Sequence, residues 1–287
     1  MDGFMRLPEE GGGDRQNTQH GLLSFLAAAL LGLACLPAEV LAQQALVSNL
    51  GQTDHATPSI IASTILTNAL DHAQQFTTGS NSAGYRLNSV EIEFNRLDAG
   101  IPFSVSIRTN ASGSPGTVVG TLANPAYTAF TTDTVLTFSA AGNGIALAAN
   151  TAYFLVLDVT GDTGSNFAYW RVTTSMSEDS GAASGWMIAD MHRLRSNTAD
   201  AAWINNLVRS SLKIRINGSV VTLPTVTIAP GTSPVTEGTS ATFTVSRTGA
   251  TTSSLAVQLS VSENSAGGRN FVASTNEGTK SVSIPMG

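Results

Sequence analysis

Short apolar stretches with a period of two residues recur along the chain, and glycine, proline or asparagine ends most of them. In residues 103 to 107, for example, Phe103, Val105 and Ile107 alternate with two serines. A period of two places such side chains on one face of a β-strand, and the residues between the stretches are those that form turns. Because each strand can bury one face against an opposing sheet, the pattern predicts an all-β protein built as a two-sheet sandwich.

One predicted strand, over residues 85 to 94, changes its apolar face along its length. Apolar residues occupy odd positions up to Leu87 and even positions from Val90 onward. A regular strand would point these two sets in opposite directions, so one of them would face solvent. A β-bulge adds one residue and reverses the alternation, so we expect a bulge near Asn88 or Ser89.

The composition is that of an extracellular β protein rather than of a nucleic-acid-binding protein. Charged residues make up 12% of the chain, against roughly 25% in ordinary soluble proteins. The polar surface must therefore come mainly from serine, threonine, asparagine and glycine. The net charge is −6 and no cluster of basic residues is present to neutralise phosphates. Nucleic acid is not an expected partner.

Residues 1–42 have the pattern of a secretory signal peptide. Residues 21–36 carry no charge, Pro37 follows them, and small residues surround a cleavable bond after Ala42. This apolar run is shorter than the roughly twenty residues that a spanning helix needs. We expect cleavage near Ala42, a secreted or cell-surface location, and no membrane span in the mature chain; a retained signal anchor is the alternative. The only cysteine, Cys35, lies in the leader, which excludes disulfides and thiol chemistry from the mature protein.

Several sequence blocks between residues 47 and 218 occur in an order that resembles the bacterial choice-of-anchor R surface domain. The blocks are residues 84–92, 105–109, 113–122, 147–157, 178–186 and 211–218. The resemblance implies export and surface display, and it supplies no catalytic residues. On this basis residues 43–222 are expected to form a jelly-roll-like β-sandwich.

Residues 223–287 resemble the opening of a Calx-β domain, an immunoglobulin-like sandwich, with the boundary marked by Pro224. The resemblance implies a truncated domain that lacks the C-terminal strands and their run of aspartates. Glu237 matches one calcium ligand of the family, and Asn270 stands where a second ligand would be an aspartate. A hard divalent ion needs several carboxylates. No cofactor is therefore expected, and calcium binding is expected only of a completed domain.

Four aromatic residues are the candidate ligand-binding side chains of the first domain: Tyr169, Trp170, Trp186 and Trp203. Such residues either anchor a core or present a flat surface on which a sugar ring stacks. The apolar neighbours of Trp170 and Trp186 favour core packing. Trp203 follows a loop sequence and is the better candidate for exposure. The expected ligand is a polysaccharide or a surface protein of unknown identity.

The chain lacks the short motifs of hydrolases, metalloproteases and phosphate-binding enzymes. We therefore expect a non-enzymatic exported protein that acts in adhesion, matrix contact or display, with carbohydrate binding as the alternative. A glycan hydrolase would need two paired carboxylates. The candidates for such a pair are Glu91, Glu93, Asp158, Glu178 and Asp179. A metal or Ser-His-Asp site assembled from distant loops around His55, His72 and His192 also stays open.

Overall fold

The computed structural model describes residues 3–6, 39–40, 44–62, 69–161, 163–198, 201–206, 211–231, 242–249, 254–261 and 277–285. Every regular element in these ranges is a β-strand, which confirms the all-β prediction. The chain divides into a large unit, Val40–Val221, and a small unit, Met1–Glu39 with Thr222–Gly287. The sequence places its domain boundary at residues 222 and 223, beside this division.

The strands, in chain order, are β1 (Gly3–Arg6), β2 (Glu39–Val40), β3 (Gln44–Ser48), β4 (Ser59–Ala62), β5 (Leu70–Thr77), β6 (Tyr85–Leu97), β7 (Phe103–Ala111), β8 (Ser114–Ala123), β9 (Thr134–Ala140), β10 (Ile145–Leu147), β11 (Ala152–Val159), β12 (Ala168–Trp170), β13 (Met187–Ser196), β14 (Ile204–Asn205), β15 (Ile214–Thr222), β16 (Thr225–Pro230), β17 (Thr242–Thr248), β18 (Leu255–Val261) and β19 (Gly278–Ile284). Neighbouring strands in the large unit follow the order β14-β13-β5-β11-β7-β8-β9-β6-β12-β4. In addition, β10 pairs with β6, and β15 pairs with β2, β3 and β6.

The sheet of the large unit folds back on itself around one hydrophobic core. Only Leu122 and Ala123 of β8 pair with β9, so the hydrogen-bonded ladder is short at this corner. Side chains from both sides of the corner meet inside: the rings of Phe103 on β7 and Phe138 on β9 lie 6.2 Å apart. The core takes residues from β5, β7 and β11 as well as from β6, β9 and β15. This arrangement confirms the predicted β-sandwich.

Strand β6 contains the predicted bulge. Ser89 pairs with Asn217 of β15, but the next partner of β15, Gly218, lies opposite Leu87, so Asn88 has no counterpart. The extra residue brings Leu87 and Val90 to the same buried face. The strand can therefore contribute apolar side chains to the core along most of its length.

Gly218 allows β15 to approach β6 closely at this bulge. A Cβ atom built on Gly218 would lie 2.2 Å from the carbonyl oxygen of Arg86 and 2.8 Å from Leu46 Cδ1. We expect Gly218→Ala to lower the free energy of unfolding by about 1–3 kcal/mol, as overpacking of a core does. Urea denaturation measures this. The matched control is Ser219→Ala, which removes a buried hydroxyl without a partner among the described residues and should change stability little.

The small unit contains a three-stranded sheet, in the order β1-β17-β16, and the β18-β19 pair. Its core consists of Val245, Leu255, Val257, Leu259 and Ile284. Strand β1 lies within the segment that the sequence predicts to be cleaved. The apolar run of that segment, Cys35 and Ala42 lie outside the described residues. Within the described residues, no helix is long and apolar enough to cross a membrane.

Candidate functional site

Five charged side chains from different parts of the large unit meet in one place: Asp54, Glu93, Asp133, Arg171 and Lys213. We call this group the Lys213 cluster. The ammonium nitrogen Nζ of Lys213 lies 2.5 Å from Asp54 Oδ1 and 2.9 Å from Glu93 Oε2. The Arg171 guanidinium donates two hydrogen bonds to Asp133, at 2.6 and 2.8 Å, and its Nε lies 3.7 Å from Asp54 Oδ2.

Backbone hydrogen bonds fix three members of the Lys213 cluster. The amide of Glu93 donates to the carbonyl of Lys213, that of Lys213 donates to Arg171, and that of Arg171 donates to Glu93, at 2.9 to 3.3 Å. The indole Nε1 of Trp170 also donates to the Lys213 carbonyl, at 3.1 Å. Asp54 forms an isolated β-bridge with Thr173, close to Arg171 in the chain. The side chains are therefore held by a rigid backbone frame.

The Lys213 cluster is largely removed from solvent at its centre. The side chain of Lys213 is 5% exposed and that of Glu93 is 13% exposed, whereas that of Asp54 is 35% exposed. Burial works to lower the pKa of Lys213, but the hydrogen bonds to Asp54 and Glu93 outweigh it and raise the pKa. The hydrogen bond from Arg171 is the main cause of the lowered pKa of Asp133. The residues thus hold ions of both signs in contact.

The three carboxylates of the cluster offer oxygen atoms within 4.8 Å of one another, a spacing that would suit a metal ion. The Lys213 ammonium already contacts two of these carboxylates, and the Arg171 guanidinium contacts the third. A cation would have to displace this ammonium before it could gain ligands. The arrangement is better suited to chemistry between an amine and a carboxyl group.

A second network lies on the outer face of β5, β7, β11 and β13. The Arg195 guanidinium bonds Asp71 and Asp158 at 2.9 and 3.0 Å, and Arg108 bonds the same Asp158 at 2.5 Å. Burial is the main cause of the raised pKa of Asp71. Arg195 also lies over the ring of Trp203, 4.5 Å from its centre. The network ties four neighbouring strands together on this face.

A third polar group is enclosed in the sandwich: Ser59, His72 and His192. Ser59 Oγ lies 2.7 Å from His72 Nε2 and 3.1 Å from His192 Nε2, and all three residues are buried. His72 Nδ1 faces the Leu70 carbonyl at 3.0 Å. Burial lowers the pKa of His72 to about 3. The serine and histidine contacts resemble a nucleophile and its base, but their burial keeps a substrate from reaching the hydroxyl.

The predicted aromatic residues do not share one surface. Trp170 is fully buried beside Phe94, and Trp186 is 3% exposed, stacked on Phe76 with ring centres 6.0 Å apart. Tyr169 is half-buried. Trp203 is also half-buried, and it covers a small apolar cluster of Ala73, Phe154 and Val156. Of the three tryptophans, only Trp203 is more than marginally exposed to solvent. The predicted calcium ligands Glu237 and Asn270 lie outside the described residues.

The five carboxylates proposed for a hydrolase each have a partner within the sandwich. Glu91 bonds Arg215, Glu93 bonds Lys213 and Asp158 bonds two arginines, while Glu178 accepts a hydrogen bond from the backbone amide of Ile188. Asp179 accepts hydrogen bonds from Ser48 Oγ and the Gly51 amide. Burial works to raise the pKa of Asp179, but these hydrogen bonds outweigh it, and the pKa is lowered overall.

Sequence reasoning missed the role of Lys213. The alternation with Leu212 and Ile214 assigns it to the polar face of its strand, whereas the structure buries it. A signal was present in the opposite charges of two strands: Glu91 and Glu93 on one match Lys213 and Arg215 on the other, each two residues apart. Comparison with known proteins finds no matching family model, curated protein or solved structure, so the resemblance to the choice-of-anchor R and Calx-β families stays a prediction.

Proposed function

We propose that this chain is an exported, non-enzymatic protein that acts at the cell surface in adhesion, matrix contact or display. The observation that carries the proposal is the pairing of charges inside the large unit. Each carboxylate that a hydrolase would need already bonds a cation or a donor of the fold. Groups that are engaged in this way brace the sandwich, and they are poorly placed to act as the acid and base of a hydrolase on an external substrate.

The bonds that brace the large unit connect its two ends. The side chain of Asn49 accepts from the Ile214 amide at 2.7 Å and donates to the Leu212 carbonyl at 3.0 Å. Strand β3 pairs along β15 from Ser48 opposite Arg215 to Gln44 opposite Gly218. A module in which the first and last strands are joined resists fraying at its ends, which suits display outside the cell.

Export is the first test of this function. We expect the full chain, produced in a bacterial host, to leave the cytoplasm and to begin near residue 43, as N-terminal sequencing and cell fractionation measure. The control Leu30→Arg places a charge in the apolar run of the leader and should hold the uncleaved chain in the cytoplasm. An intact leader on a cytoplasmic wild-type chain would contradict the proposal.

Carbohydrate binding is the second candidate, and the partial exposure of Trp203 favours it over other ligand-binding functions. Binding to an array of bacterial and host polysaccharides would separate carbohydrate binding from the surface role proposed first. Binding that Trp203→Ala abolishes, with the fold intact by circular dichroism, would assign the ligand surface to the outer face of β5, β11 and β13. Release of reducing sugars during the same incubation would instead identify a hydrolase.

A further inference from the structure

We propose that Lys213 and Asp54 condense into an intramolecular isopeptide bond, with Glu93 as the group that moves the protons. The observation behind the proposal is the contact of one buried amine with two carboxyl groups, at 2.5 Å from Asp54 and 2.9 Å from Glu93. An ordinary ion pair needs only one carboxylate. The second, more deeply buried carboxylate supplies a proton acceptor next to the nucleophile.

The distance between the reacting atoms is suitable for attack. Because Lys213 Nζ lies 2.5 Å from Asp54 Oδ1, it lies about 3–3.5 Å from the carboxyl carbon Cγ, the range of a near-attack geometry. The backbone frame of Glu93, Arg171 and Lys213 holds the amine in place. The two partners are far apart in sequence but the fold brings them into contact, so the reaction has the advantage of an intramolecular one.

The reaction balances without an added reagent. Glu93 accepts a proton from the Lys213 ammonium and passes it to the Asp54 carboxylate, one oxygen atom of which lies within 4.8 Å of one of Glu93. Because the cluster raises the pKa of Lys213, the neutral amine is a minor species, and its attack on Cγ is slow enough to require prolonged incubation. A second amine proton follows through Glu93 to the departing oxygen, the C–O bond breaks, and one water molecule leaves. The new C–N bond is an amide, and Glu93 returns to its starting state.

Arg171 has a supporting role in this scheme. Its Nε lies 3.7 Å from Asp54 Oδ2, and its hydrogen bonds to Asp133 fix its direction. A fixed positive charge beside the carboxyl group stabilises the negative charge that develops on oxygen when the amine adds. The reaction also removes an ion pair that is partly withdrawn from water, which is costly to keep in that state. The first effect lowers the barrier, and the second favours the amide over the ion pair.

The bond would change how the large unit responds to a pulling force. Gln44 lies opposite Gly218, so a pull on the chain before β3 and after β15 would peel these two strands apart from that end. Asp54 follows β3 and Lys213 precedes β15, so the bond lies at the other end of the pair. It would close residues 54 to 213 into a covalent loop that tension cannot extend. This consequence rests on the proposed surface role, but the bond itself does not.

Intact-protein mass spectrometry tests the proposal on the full chain after its N-terminus has been sequenced. We expect a mass that is lower, by one water molecule, than the mass calculated for the chain from its sequenced N-terminus. Tryptic digestion should yield a branched peptide that joins the segments around residues 54 and 213. A folded wild-type protein with the full sequence mass after prolonged incubation would overturn the proposal, whether or not the chain is exported.

Variants assign the roles. Lys213→Arg, Asp54→Ala and Glu93→Gln should each restore the full mass of the sequence. Asp54→Asn should form the same bond but lose ammonia in place of water. The matched control is Arg215→Lys, which places an amine beside Glu91 where β15 pairs with β6. This variant should still lose the mass of one water molecule only. Loss of water in Glu93→Gln at the wild-type rate would remove Glu93 from the mechanism.

Discussion

Replacement of Trp170 by alanine is expected to lower the free energy of unfolding of the large unit by about 3–5 kcal/mol, the usual cost of truncating a large buried aromatic residue. Trp170 is the largest fully buried side chain of the described residues. Its ring lies 6.0 Å from that of Phe94 and 6.4 Å from that of His72. The loss would leave a cavity at the centre of the sandwich that the surrounding strands cannot fill.

The same substitution would also remove a hydrogen bond that positions the Lys213 cluster. The indole of Trp170 donates to the Lys213 carbonyl. Trp170→Phe keeps most of the apolar volume but lacks this donor, so the two variants separate packing from hydrogen bonding. We expect the phenylalanine variant to recover more than half of the stability lost in the alanine variant.

Urea denaturation, followed through the fluorescence of the remaining tryptophans, measures these differences. Trp203→Ala is the matched control, because it truncates the same side chain at a half-buried position on the outer face. We expect a smaller loss there. An equal loss in Trp170→Ala and Trp203→Ala would contradict the view that Trp170 organises the core.

The sequence was sufficient to predict the strands and the bulge, because both depend on local alternation. Phe103, Val105 and Ile107 are all buried, as the period of two requires. The switch of apolar positions between Leu87 and Val90 also predicted a bulge near Asn88 or Ser89, and the structure has it at Asn88. In each case the apolar side chains share the face that the core covers, so the pattern of residues carries the information.

The Lys213 cluster could not be predicted in the same way. Alternation shows that Lys213 and Arg215 share a strand face, but it does not show whether another segment covers that face. Asp54 reaches the cluster from the segment after β3, far away in sequence. Such contacts are set by the packing of loops on the sandwich, and neither propensity nor periodicity reports them.

Strand β5 is a case where the sequence departs from the alternation of apolar and polar residues. His72, Gln74 and Phe76 share the inward face of β5, so two polar residues occupy core positions. A polar residue in a core lowers stability unless its hydrogen bonds are satisfied. Breaks of this kind mark places where the fold depends on a specific network, and here we expect the network to respond to pH.

Acidification is expected to destabilise the large unit already above the usual pKa range of carboxylates. Burial lowers the pKa of His72 from 6.5 to about 3, so between these values the unfolded chain binds a proton that the folded chain does not. Stability must then fall as the pH falls through this window. The full shift corresponds to about 4–5 kcal/mol, of which about 2–3 kcal/mol is lost between pH 6.5 and 4.5.

The hydrogen bonds of His72 explain why its folded form resists protonation. The Leu70 carbonyl can only accept, so His72 Nδ1 donates to it, and Nε2 must accept from the Ser59 hydroxyl. A second proton on Nε2 would break this bond. The stacked ring of His192, 5.9 Å away, and the ring of Trp170 offer no negative charge to stabilise an imidazolium.

Other groups affect the pH dependence mainly at lower pH. The pKa values of Asp98, Asp133 and Asp179 are lowered from 3.8, so their stabilising effect is present above that value and is lost below it. The pKa of Asp71 is raised, and its protonation opposes the trend by favouring the folded state as the pH falls. The pKa shift of His72 is the largest among these groups, so its effect should outweigh that of Asp71 between pH 6.5 and 4.5.

Urea denaturation at a series of pH values measures the slope of unfolding free energy against pH. His72→Gln keeps a polar side chain in the network but cannot titrate, so it should lower stability at neutral pH and flatten the slope between pH 6.5 and 4.5. The control His55→Gln removes an imidazole from the loop that follows β3, outside the sandwich interior, and should keep most of the slope. A wild-type stability that stays constant down to pH 4.5 would show that the interior accommodates an imidazolium, for which none of the described contacts of His72 provides a counter-charge.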